Sequence, residues 1–279
     1  MPIRPTRPLA LQLVVAGTLL HAATAQAQPS QGSDAPRTWL QLQGVAAHWQ
    51  MQTRGDSFDF FGSGGAVQGT PINTEDELGL PRRKPVVGLV VGRRIGLHWR
   101  IEVEHTQSQR QGSAVLGREL HVDGMAYAAG STLESKVGLT TLGVLGGWST
   151  TVGEATEAGV LLGGQWVRVT RRLHTRGTPA SLGSEGLETA TEPVLGLFVQ
   201  HPLAPQWRLD GRITASPAGN YQATLGVQWL LQRKLSLGAG YRVTRHKLDV
   251  ESFVILGFPS NMVVDAKVHG PMFSATLAF

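Results

Sequence analysis

Cysteine is absent from the 279 residues, which excludes a disulfide scaffold and any cysteine-based zinc site. Charge is scarce as well: Asp, Glu, Lys and Arg make up 16% of the chain, against roughly a quarter in ordinary soluble domains. The formal net charge of +5 is not gathered into a block, so nothing in the sequence recruits nucleic acid. After the N-terminal segment no run of ~18 apolar residues occurs, so no spanning helix is expected. Glycine is plentiful instead, with 35 residues that follow no G-X-Y period, which excludes collagen. Hydrophobic residues amount to 41%, yet the mean hydropathy is −0.05. That combination suggests a β-rich envelope protein more than a cytosolic enzyme.

The N-terminus carries an export pattern. Arg4 and Arg7 precede an apolar stretch from Leu9 to Leu20, and small residues lead to Ala25-Gln26-Ala27, an A-x-A cleavage site. Residues 1-27 are therefore expected to be a cleaved signal peptide. Residues 28-37 would be a short periplasmic segment, and 38-279 the folded domain.

Beyond it, apolar residues recur with period two. Tyr221, Ala223, Leu225, Val227, Trp229 and Leu231 alternate with Gln222, Thr224, Gly226 and Gln228. Leu97, Trp99, Ile101 and Val103 alternate with His98, Arg100, Glu102 and Glu104. Successive strand residues point to opposite faces, so each segment has one apolar and one polar face. Ten such segments are expected, near 38-52, 85-92, 97-109, 134-148, 156-171, 193-201, 207-216, 220-231, 235-248 and 266-279. Short connections alternate with long ones at 53-84, 110-133, 172-192 and 249-265; the brief turn at Pro217-Ala218-Gly219 is the exception. An even antiparallel meander with loops segregated by length is the pattern of a transmembrane up-and-down β-barrel, lipid outside and a polar lumen inside. Ten strands are expected, with eight as the alternative if the 84-109 hairpin lies outside the membrane. Gly88, Gly92, Gly196, Gly238 and Gly240 fall on the inner face, where a narrow lumen favours them.

Tryptophan gives a second line of argument. Trp39, Trp99, Trp148, Trp207 and Trp229 all lie near the expected short-turn end, and barrels carry aromatic girdles where bilayer meets water. The closing segment Gly270-Pro271-Met272-Phe273-Ser274-Ala275-Thr276-Leu277-Ala278-Phe279 resembles the terminal strand of Gram-negative outer-membrane barrels, which end on an aromatic with alternating apolar residues before it. Glu77-Leu78-Gly79-Leu80 and Ala128-Ala129-Gly130-Ser131 look, more weakly, like segments of small proteobacterial barrel proteins. The resemblance implies an outer-membrane location. It also implies recognition by the barrel-assembly machinery through Gly270, Phe273, Leu277 and Phe279.

One constellation stands out inside. Arg100, Glu102 and Glu104, then Arg208, Asp210 and Arg212, then Arg242 would all project into one narrow lumen, with Arg168 joining if its register allows. Buried charges must be paired, so the first expectation is a salt-bridged filling. A narrow selective channel and a pair of catalytic carboxylates are the alternatives.

Other signals are weaker. Rim cations such as Arg82, Arg83, Lys84, Arg110, Arg171, Arg245, Lys247 and Lys267 would meet lipopolysaccharide phosphates. His48, His246 and His269 fall on strands that adjoin at closure, but opposite facings argue against a shared metal. An apolar connection with Phe253, Ile255 and Phe258 packs loop on loop, or else offers a contact surface to an extracellular protein or glycan. No Asp-Asp or Asp-His dipeptide of the kind that outer-membrane proteases use occurs, and no Ser-His couple can be placed on the wall. The expectation is a structural or surface-interaction barrel with no catalysis, cofactor or metal. The alternatives are a channel lined by paired charges and a barrel-wall hydrolase acting on lipid or peptide.

Overall fold

Where one face of a strand is apolar and the other polar, closing the sheet into a cylinder turns the polar set inward and leaves no sheet edge. The computed structural model has this arrangement; it describes residues 38–58, 66–67, 69–122, 125–176, 183–253 and 259–279. The segments expected as signal peptide and periplasmic leader lie outside the described residues.

The first strand, β1, runs in two pieces, Thr38–Val45 and His48–Phe58. It is followed by β2 (Val86–Ile95), β3 (Trp99–Val115), β4 (Thr132–Val152) and β5 (Thr156–Arg176). The remaining wall is β6 (Gly183–Ala204), β7 (Trp207–Ala215), β8 (Tyr221–Gln232), β9 (Leu235–Phe253) and β10 (Pro259–Ala278). Each strand pairs antiparallel with its neighbour, and β1 closes on β10 with Trp39 opposite Ala278. The wall therefore has ten strands, because the β2–β3 hairpin sits between β1 and β4 as part of it.

The gap in β1 at Ala46 and Ala47 lies opposite Pro271 and Gly270, and the register is the same on both sides of it. Proline has no N–H to donate, so one ladder bond is missing, while Ala46 still donates to the Pro271 carbonyl at 2.9 Å. Tight turns at the short end rely on Gly96 and Gly153, both at φ +65°, a conformation in which a Cβ is costly.

The outer surface is apolar over its lower half. Leu162 is 66% exposed, Leu195 63% and Phe273 62%, values at odds with burial from water but suited to hydrocarbon. Trp99, Trp148, Trp207 and Trp229 all point outward near the short turns. Trp99 is the cross-strand partner of Trp148, and the rings of Trp207 and Trp229 stack at 5.9 Å. Tyr221 and Tyr241 point outward further up the wall.

Two regions read as long loops, 172–192 and 249–265, are largely wall, and a third, 110–133, is wall at both ends. Strand continues through Arg110–Val115 and again from Thr132, through Arg172–Arg176 and from Gly183, and to Phe253 and from Pro259. The lipid-facing alternation stops where the strands leave the apolar belt, but backbone pairing does not depend on that alternation and carries on above it. Residues 254–258, among them Ile255 and Phe258, lie outside the described residues; Phe253 is the last described residue of β9.

Candidate functional site: the charged lumen

The lower lumen is built from every second residue of the strands. Glu102, the hub, is 2% exposed; it accepts from Arg100 on its own strand and from Arg212 across the lumen at 2.7 Å. Glu104 accepts from Arg242, has Arg212 at 3.7 Å, and receives the Gln222 amide at 3.3 Å. Arg242 has a second acceptor in Gln43 on β1, at 2.9 Å. The structure thus joins five of the seven expected ladder residues into one network, three guanidiniums against two carboxylates. Arg208 and Asp210 form a separate pair at 3.0 Å nearer the short turns, and Arg208 also donates to Gln228 at 2.7 Å.

Two placements differ from the sequence reading. Trp39 does not join the interfacial girdle: it shares inward parity with Gln41 and Gln43, and its ring lies across Gly92, where a Cβ would come within 2.1 Å of it. Arg100 stacks on that ring at 5.2 Å and on Phe198 at 4.2 Å, so the guanidinium is held between two π-faces, a favourable site for a desolvated cation. Arg168 faces outward instead, lying over Trp166 at 4.6 Å, two residues away on the same face of β5.

Partners that the sequence reading missed are nearly all inward residues of strands it had placed. Gln43, Gln222 and Gln228 supply the amides, and Arg94 pairs with Glu157 at 2.5 Å near the short turns. Their parity was legible, but their role is set by which strands face each other across the barrel.

Among the described residues, a packed plug occupies the upper lumen. Residues 69–84, read as loop, fold back against the wall, where Ile72–Asn73 pairs with Gln52–Thr53 of β1, and bury Ile72, Leu78 and Leu80 to 1%, 0% and 2% exposure. They pack with Trp49, Met51, Leu133, Val167 and Leu173 from the wall. Asn73 organises the turn, its Oδ1 accepting the N–H groups of Glu75 at 3.1 Å and Asp76 at 3.0 Å. Glu75 then accepts from Arg110, both side chains being at most 3% exposed, and its other oxygen accepts the Met51 N–H at 3.0 Å. Arg110 lies over Trp49 at 4.4 Å. Arg110 and Arg171 were both expected on the rim; each is 1% exposed, because even-numbered positions of β3 and odd-numbered positions of β5 face inward. The Leu120–Val122 and Met125–Tyr127 hairpin covers the plug, and Arg118 on the approach to it donates to Glu77 at 2.7 Å.

Between the ion pairs and the plug lie small hollows. One of about 30 Å³ is lined by Thr106, Ser108, Gln222, Arg242 and His246; another of about 20 Å³ adjoins Glu104, Gln165 and Arg212. Volumes of this size hold a water or two. His48 and His269 neighbour each other on the outer face, with rings 5.3 Å apart, whereas His246 points inward and is 5% exposed. Among the described residues no group of three His, Cys, Asp or Glu is arranged to hold a metal ion.

No protein-family model matches the chain, and no curated protein matches it. Among solved structures it is similar to the outer membrane protease OmpT of Escherichia coli, with a TM-score of 0.57 and 8% identity over 91% of this chain and 100% of that one. The translocator domain of the autotransporter NalP of Neisseria meningitidis aligns over 97% of both chains at 13% identity, with a TM-score of 0.43. The likeness to OmpT establishes the outer-membrane β-barrel fold and extends no further than the fold.

Proposed function

We propose that the chain is a non-conducting outer-membrane barrel that serves as a structural and surface-presenting protein. The short turns and both strand termini face the periplasm, and the long connections face outward. The observation that supports this reading is the filling of the lumen among the described residues, by an ion-paired network below and an apolar plug above. The height of the wall supports presentation: β4, β5 and β6 have 21, 21 and 22 residues. Crossing a bilayer takes about 10 strand residues, so these project roughly 30 Å further. Membrane lipid and lipopolysaccharide surround the wall, the barrel-assembly machinery inserts it, and an extracellular protein or glycan is the partner for the outer end.

The test is conductance in planar bilayers. Refolded protein is expected to leave the membrane sealed, and so is its Arg212→Gln variant. Discrete single-channel steps whose ion preference changes in that variant would replace this reading with a channel. Release of fatty acid or cleaved peptide by the purified barrel would replace it with a hydrolase.

A further inference from the structure

Just above the Tyr221 and Tyr241 rings, the outer face of β9 and β10 gathers positive charge. Arg245 and Lys247 on β9 and Lys267 on β10 all have outward parity, and the two lysines are exposed. The register sets Arg245 directly opposite Lys267, and like charges on facing rungs are unfavourable. Asp265 stands opposite Lys247, yet its carboxylate is taken by Arg245, with Nε at 3.0 Å and Nη2 at 2.7 Å. Asp249, exposed two residues beyond Lys247 on the same face, is the next carboxylate, so three cations face two carboxylates and the cluster keeps a positive excess. Among the described residues neither lysine ammonium has an ion-pair or hydrogen-bond partner.

The place matters as much as the charge. Tyr221 is the cross-strand partner of Arg245, and the Tyr241 hydroxyl and His269 Nδ1 are hydrogen-bonded at 2.7 Å. Lower on the same two strands, Leu237 and Phe273 point outward with 43% and 62% exposure. From bottom to top this face thus runs apolar, aromatic, cationic, which is the sequence of environments along a lipid from acyl chain to headgroup.

We propose that Lys247 and Lys267, braced by the Arg245–Asp265 pair, bind the phosphate of a lipid headgroup in the leaflet at the long-connection end. This rests on the outer-membrane reading above, under which that leaflet is rich in phosphorylated glycolipid. A phosphate between the ammonium groups balances the remaining positive excess through charge-assisted hydrogen bonds and relieves the Arg245–Lys267 repulsion. Its acyl chains lie along Leu237 and Phe273.

The test uses the refolded full chain in nanodiscs of phosphatidylcholine, alone or doped with lipid A or phosphatidylglycerol, with thermal unfolding and lipid occupancy by native mass spectrometry as readouts. Lipid A is expected to raise the melting temperature and remain bound. The Lys247→Gln/Lys267→Gln variant is expected to bind it about 30-fold more weakly, at roughly one kcal/mol per surface cation. Arg233→Gln/Lys234→Gln, which removes equal charge at the short-turn end, is expected to bind like wild type. Equal binding by all three proteins overturns the proposal. So does an equal melting shift from inorganic phosphate in undoped discs, which would make this a soluble-anion site; a shift from phosphatidylglycerol matching that of lipid A would retain the headgroup site and remove its preference for glycolipid. Failure to insert into discs at all sinks the membrane reading, a result separable from insertion without lipid selectivity.

Discussion

Replacing Glu104 with Gln removes one charge from the lumen network without changing side-chain volume. Glu104 is 8% exposed and takes Arg242, Arg212 at 3.7 Å and Gln222 at 3.3 Å. After the change three guanidiniums face the single carboxylate of Glu102. Breaking one side of a buried pair costs about 3–5 kcal/mol. The lower end applies here, since Arg242 keeps Gln43 at 2.9 Å and Arg212 keeps Glu102 at 2.7 Å. A loss of about 3 kcal/mol lowers the urea midpoint by about 1 M or more, read by tryptophan emission of the barrel in lipid vesicles. Adding Arg242→Gln should restore at least half of the loss, because the orphaned cation leaves with it. If Glu104→Gln cost less than about 1 kcal/mol, as an exposed pair does, solvent would have to fill the lumen, and the seal on which the non-conducting reading depends would be gone.

Two further substitutions probe the inner and outer faces. Gly92→Val drives a side chain into the Trp39 ring, already 2.1 Å from where a Cβ would stand. It should cost about 1–3 kcal/mol as overpacking, and Trp39→Leu should restore most of that in the double variant; no rescue would mean that Trp39 lies elsewhere. Leu162→Arg, at a position 66% exposed, would be nearly neutral on a water-facing wall. Facing lipid near mid-bilayer it should cost about 2–4 kcal/mol, and an unchanged urea midpoint in vesicles would remove the apolar belt from the bilayer.

The alternation along each segment was enough to place ten strands, to set which side chains of β3, β7 and β9 share the lumen, and to pick out Trp99, Trp148, Trp207 and Trp229 as outward. Those are consequences of period two and of one face being apolar, both local properties. Trp39 shows the limit: its neighbours Gln41 and Gln43 carried the parity that turns it inward, but an aromatic near a strand end reads equally well as an interface anchor. Arg110 shares the inward parity of Glu102 and Glu104, but its partner Glu75 and the Ile72–Leu80 plug were out of reach. Their chemistry depends on a connection folding back between strands distant in sequence, and no periodicity encodes such a return. The pairing within the ladder was likewise undecided until closure brought β7 and β9 opposite β3. Local alternation determined which residues face inward; only the closed cylinder, by setting which inward faces meet, decided that they pair with one another and fill the lumen.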